Sequence, residues 1–127
     1  MHGEGTFEVE LDRRPSSLDT GFTAFRGAGR KRFSGSLEAR SIVEMIGGGT
    51  VDNPQCAYVA LERIEGTLAG KRGAFVVVHA AWPRPEGLTI DIVPGTGEGD
   101  LAGIAGTMTI RIVDGQHQYT VDWTLPE

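Results

Sequence analysis

Glycine sets the terms on which this chain can fold. Its 19 glycines recur at intervals that divide it into segments of strand length. Those segments are rich in Val, Ile, Thr, Phe, Tyr and Trp, residues that suit a pleated, half-buried surface. Strands are expected over 6–12, 22–33 (interrupted at Gly27 and Gly29), 36–46, 58–68, 74–82, 88–93, 107–113 and 116–125. Asp52-Asn53-Pro54 and 83–87 read as loops. Neither a linker nor an internal repeat interrupts the series, so 1–127 is read as a single domain.

Two turns fix how strands pair. Asp114-Gly115 suits a type I′ hairpin between two alternating runs. A two-residue loop there sets Ile112 opposite His117, Ile110 opposite Tyr119 and Met108 opposite Val121. Those six share an apolar face with Trp123, while Arg111, Gln118, Thr109, Thr120, Thr107 and Asp122 share a polar one. A slip of one residue would exchange the faces, so the register is strongly specified.

The second turn is expected within Gly70-Lys71-Arg72-Gly73. With Lys71-Arg72 at the tip, Leu68 faces Phe75, Gly66 faces Val77, Ile64 faces His79 and Glu62 faces Ala81. Tyr58 and Ala60 share that face. The opposite face carries Val59, Leu61, Val76, Val78 and Trp82, broken only by Arg63 and Glu65, so both sides are substantially apolar. An apolar outer face calls for a cover, which points to a homo-oligomer or a terminal segment.

The stretches 36–46 and 57–68 also tolerate helix, since Ala57, Ala60, Leu61, Ile64 and Leu68 fit a helical period. Gly66, the β-branched Val59, Ile64 and Thr67, and the flanking turns favour strand. Eight short-turned strands leave exposed edges unless the sheet closes, so an antiparallel barrel is expected. Its interior would be filled by side chains or by one small ligand.

Composition excludes several classes of function. A net charge of -5, with Lys and Arg scattered among acids, argues against nucleic acid as a partner. The run Arg30-Lys31-Arg32 is the exception and reads as a solvated loop or edge strand. With Cys56 alone, no intrachain disulfide can form, which suits a reducing compartment, and half-buried packing is its expected role. Met1-His2-Gly3-Glu4-Gly5 does not begin a signal peptide, and no apolar run approaches the ~20 residues of a membrane span. A cytoplasmic protein without a membrane partner is expected.

The inward face of the two hairpins gathers Tyr58, Glu62, His79, His117 and Tyr119 among Leu, Ile, Val and Phe. Glu62 and His79 lie on a diagonal of adjacent strands, within reach of long side chains. A carboxylate and an imidazole in an apolar interior need partners and should titrate abnormally. They could serve as acid and base with a tyrosine orienting a substrate, could orient a bound ligand, or could simply satisfy one another. Their spacing does not suit a metal, and no metal or other cofactor is expected. Glu38 and Glu44 are expected to face solvent beside Arg40, which argues against a carboxylate pair for glycoside chemistry.

The stretch from Ala57-Tyr58-Val59-Ala60-Leu61-Glu62-Arg63-Ile64-Glu65-Gly66 to Thr67-Leu68-Ala69-Gly70 resembles a known family. Gly73-Ala74-Phe75, His79, the segment 94–106, His117-Gln118-Tyr119 and Asp122-Trp123-Thr124-Leu125-Pro126 extend the likeness. Gly5-Thr6-Phe7-Glu8-Val9 and Gly35-Ser36-Leu37-Glu38-Ala39 carry it upstream. The family is domain of unknown function 3224, a group of small bacterial proteins. The resemblance implies an all-β, eight-stranded antiparallel barrel, allene oxide cyclase-like and similar to the plant dirigent proteins. It implies no established activity. The family's loop Ser-Gly-Thr-Gly-Glu-Leu stands here as Thr96-Gly97-Glu98-Gly99-Asp100-Leu101, with Glu98 in place of the middle hydroxyl. A contact made through that hydroxyl would be lost, and Gly97, Gly99, Gly103 and Gly106 read as structural.

Three functions follow as expectations. The barrel could bind a small apolar or amphipathic ligand at Tyr58, Glu62, His79, His117 and Tyr119. By analogy of fold it could be an isomerase or cyclase acting on an apolar substrate. It could also be a non-catalytic structural oligomer.

Overall fold

The structure, a computed structural model, describes residues 1–18 and 21–127. Nine strands run β1 (His2–Pro15), β2 (Thr23–Gly35), β3 (Leu37–Gly49), β4 (Ala57–Leu68), β5 (Lys71–Ala81), β6 (Leu88–Ile92), β7 (Glu98–Gly99), β8 (Ala105–Val113) and β9 (Gln116–Thr124). All pairings are antiparallel. The sheet order is β4-β3-β2-β1-β9-β8-β6-β5-β7, and β4 also pairs with β5. That last pairing closes eight strands into a barrel of sequential neighbours, with the two-residue β7 attached outside the ring against Gly73 and Ala74. Both helix-tolerant segments are strands. No described helix is long and apolar enough to cross a membrane.

The β8–β9 hairpin has the register its turn chemistry predicts, with Ile112 opposite His117, Ile110 opposite Tyr119 and Met108 opposite Val121. Asp114 and Gly115 both take positive φ, 52° and 78°, as a type I′ turn requires. The β4–β5 hairpin departs from expectation. Its turn residues are Ala69 and Gly70, at φ 49° and 83°, with Leu68 opposite Lys71. Gly70 therefore supplies the turn, whereas Gly73 is a strand residue packed under β7. A Cβ on Gly73 would meet the Glu98 carbonyl oxygen at 2.0 Å. Every partner consequently shifts by four residues, so Ile64 faces Phe75 and Glu62 faces Val77. An even shift preserves the faces, and Glu62 keeps a diagonal relation to His79, which lies opposite Ala60.

The interior is divided along the barrel. One half is solid, filled by Phe7, Phe33, Leu37, Ile64, Leu68, Phe75, Val77, Tyr119, Val121 and Trp123. Leu101 and Ile104, from the loop after β7, belong to the same cluster at 1% and 2% exposure. The other half is hollow.

Candidate functional site

The hollow half is a cavity of about 360 Å³. Val9 and Leu11 of β1, Phe25 of β2, Val43 and Met45 of β3 and Ile110 of β8 give it apolar walls. Lys31, Tyr58 and His79 form its polar floor, and the exposed Arg13 and Gln55 stand at its mouth. This combination of apolar enclosure and a few convergent polar groups is the usual anatomy of a small-molecule site. A broader depression of about 610 Å³ lies on the outer face of β1–β4, between exposed Glu8, Glu10, Arg30, Arg32 and Arg40. Most of its walls are charged side chains, with Val9 and Ile42 the apolar residues among them.

Behind the floor sits Glu62, 2% exposed. Its Oε1 accepts hydrogen bonds from His79 Nε2 at 2.8 Å and from Lys31 Nζ at 3.1 Å. Its Oε2 accepts one from the Ser41 hydroxyl at 2.5 Å. Strand alternation brings these groups together: Lys31 on β2 faces Ser41 on β3, and Glu62 on β4 faces Val43 on β3. All of these residues point inward. Burial pushes the Glu62 carboxyl up. The His79 hydrogen bond, the Lys31 charge, the Ser41 hydroxyl and the His79 charge outweigh burial and hold it below its ordinary range.

An ionised Glu62 accepts only, so His79 carries its proton on Nε2 when neutral. Nδ1 is then an acceptor, and the Tyr58 hydroxyl donates to it at 3.3 Å. Burial, followed by the nearby Glu62 charge, pushes the Tyr58 hydroxyl up to about 12, so it remains protonated at neutral pH. The Lys31 ammonium also lies 4.9 Å from the centre of the Phe7 ring, within cation–π range. No buried polar side-chain atom among the described residues lacks a partner.

Of the five residues singled out in the sequence, the structure joins Tyr58, Glu62 and His79 in one network. His117 lines the cavity wall but packs its ring on Phe7, 5.1 Å between centres. Tyr119 is inward but lies in the solid half. Its hydroxyl accepts from the Leu37 amide at 2.9 Å and donates to the Ser34 carbonyl at 3.0 Å. It therefore ties β9 to the β2–β3 turn and does not line the cavity.

Lys31 and Ser41 were missed. The run Arg30-Lys31-Arg32 is neither a loop nor an edge but the middle of β2, paired on both sides. Arg30 and Arg32 point to solvent, and the side chain of Lys31 is only 8% exposed. The signal was present in the alternation Phe25, Gly27, Gly29, Lys31, Phe33. Among the described residues no group of three His, Cys, Asp or Glu is placed to hold a metal ion.

No curated protein matches this chain. A solved structure of a protein of unknown function from Shewanella oneidensis MR-1, itself from the DUF3224 family, is 34% identical. The match covers 100% of this chain and 98% of that one, with a TM-score of 0.89. The family described as protein of unknown function (DUF3224) matches residues 3–123. Nearly the whole barrel lies within that match, and the chain belongs to the DUF3224 family.

Proposed function

We propose that the barrel is a binding module whose hollow half takes one small apolar or amphipathic molecule. The observation that carries this reading is the division of the interior into a solid half and an apolar-walled cavity with a polar floor. Tyr58, His79 and Lys31 would meet the polar end of the ligand. Glu62 would act behind them by fixing the orientation and protonation of His79 and Lys31. An isomerase would ask Glu62 to take a proton, yet three donors occupy it and its pKa is held low. The network thus favours binding over proton abstraction. Native mass spectrometry and thermal-shift screening against a library of lipids and metabolites test the proposal. A copurified mass or a shift supports it; neither appearing across the library would remove it.

The outer face favours a second and independent reading, self-association. Ile42, Val59 and Leu61 are 66%, 54% and 59% exposed on adjacent strands. Glu44 lies across from Leu61, and Arg63 follows it two residues along β4. A two-fold axis through Leu61 and between these charges sets Arg63 of one copy over Glu44 of the other. The two sheets then cross near a right angle, which is an established packing. Light scattering on the purified protein decides the matter: a dimer is expected, and a monomer at micromolar concentration refutes it.

A further inference from the structure

The cavity floor is electrically balanced and its free donors are those of Lys31, which limits the chemistry of what can enter. Building on the binding reading above, we infer that the ligand brings an uncharged oxygen acceptor, a carbonyl or a hydroxyl, to Lys31. Carboxylate and ammonium ends are rejected.

Donors come first. Lys31 carries three N–H donors and spends one on Glu62, with the Phe7 ring beside it. The remaining donors border the cavity. Acceptors are scarce, because Glu62 is 2% exposed and occupied by three donors, and His79 Nδ1 is taken by Tyr58. The Tyr58 oxygen is the floor's remaining acceptor. An ammonium would bring three donors to this one position and a positive charge beside Lys31. A wholly apolar end would bury the floor donors without a partner.

Desolvation excludes the carboxylate. The Lys31 ammonium already neutralises Glu62, so a second carboxylate on Lys31 Nζ would lie roughly 5 Å from the Glu62 oxygen, because two hydrogen bonds leave one ammonium nitrogen at about the tetrahedral angle. At an effective dielectric near 20 the attraction to Lys31 at hydrogen-bond length exceeds the repulsion from Glu62, but what is left of it is smaller than the cost of taking a carboxylate out of water into the cavity. A neutral oxygen accepts from the same donor without that cost. The binding-competent cations elsewhere do not change this. Arg13 stands at the mouth over the Phe25 ring, 4.4 Å away. It lies four residues along β1 from Val9, the partner of Lys31, or about 13 Å. A carboxylate held there would lay its apolar tail on the polar floor.

The cavity volume equals about a dozen water volumes at ~30 Å³ each, which sets the size of the probes. Undecane, 2-undecanone, undecanoate and undecylammonium would each be titrated at pH 8 by calorimetry or by displacement of a neutral fluorophore. The expected order places 2-undecanone at least about tenfold ahead of the other three. Because Lys31→Met alone leaves the buried Glu62 charge without its ion pair, the paired variant Lys31→Met/Glu62→Gln accompanies it. In the folded paired variant the ketone should lose its advantage over undecane. Undecanoate binding best, with the preference abolished by Arg13→Gln, overturns the inference while leaving the binding barrel standing. So does an alkane that binds as tightly as the ketone. Binding of none of the four overturns both.

Discussion

Replacing Glu62 by Gln tests whether the buried network is a structural unit. The substitution keeps the volume and removes the charge that Lys31 faces at 3.1 Å. It also places an amide donor where Ser41 or His79 now donates. Removing one partner of a buried ion pair costs about 3–5 kcal/mol, chiefly because the remaining charge is left unpaired. For a domain of this length that corresponds to a fall in Tm of roughly 10–20 °C. Urea unfolding at pH 7 and calorimetry read the loss directly. The double variant Lys31→Met/Glu62→Gln should be less destabilised than the sum of the two single variants, with a coupling above about 1 kcal/mol. The pH dependence supplies a second arm. Because folding lowers the Glu62 pKa, its contribution is present above its ordinary value near 4.5 and is lost as pH falls through the folded value. The gap between wild type and Glu62→Gln should therefore narrow in acid. A loss under ~1 kcal/mol at pH 7, or a gap that widens on acidification, would refute this account.

Three further outcomes follow from the geometry. Tyr119→Phe leaves the buried Leu37 amide without its acceptor and should cost about 1–3 kcal/mol in chemical unfolding while sparing ligand affinity. The chain's two tyrosines are both pushed above their ordinary value, Tyr58 to about 12, mainly by burial. At pH 10 the folded protein should show little tyrosinate absorbance, and a signal equal to that of the urea-unfolded chain would contradict the burial argument. Leu101→Ala opens the solid half under the loop and should cost about 2–5 kcal/mol, read as a lower urea midpoint.

The fold was legible where local chemistry and pattern agreed. At Asp114-Gly115 the turn residues and the alternation on both sides specify one register, and the structure has it. At β4–β5 the two glycines flanking Lys71-Arg72 competed for the turn. Choosing between them needs the knowledge that β7 packs on Gly73, a contact made from 25 residues away along the chain. The candidate site was half legible. Tyr58, Glu62 and His79 could be placed together because they lie on one hairpin, and parity survived the register error. Lys31 could not, because a lysine between two arginines resembles a solvated run until β2 is paired with both β1 and β3. Tyr119 was placed on the correct face, but its depth along the barrel depends on how the strands stagger around the ring. That is a property of closure and leaves no local mark.

The hollow half has a cause in side-chain size. Inward positions of the solid half carry Phe, Leu, Tyr and Trp, whereas β2 and β3 offer Gly27, Gly29 and Gly47 to the cavity end. Neighbouring side chains lie down over these glycines. A Cβ on Gly27 would meet Met45 at 2.8 Å, one on Gly29 would meet Leu11 at 2.9 Å, and one on Gly47 would meet Phe25 at 3.1 Å. The walls thus stay apolar while the lumen stays open. Packing selected for stability alone would fill such a space, since interiors are close-packed. Ala60, which is 6% exposed, lines the cavity opposite His79 and has room to grow into it. Ala60→Leu should stabilise the protein by about 0.5–2 kcal/mol, as cavity-filling substitutions do, and should weaken ligand binding. Stability rising while binding falls is the signature of a space kept open for use. If the variant is destabilised and binding is unchanged, the hollow is a packing defect and the binding reading loses its main support.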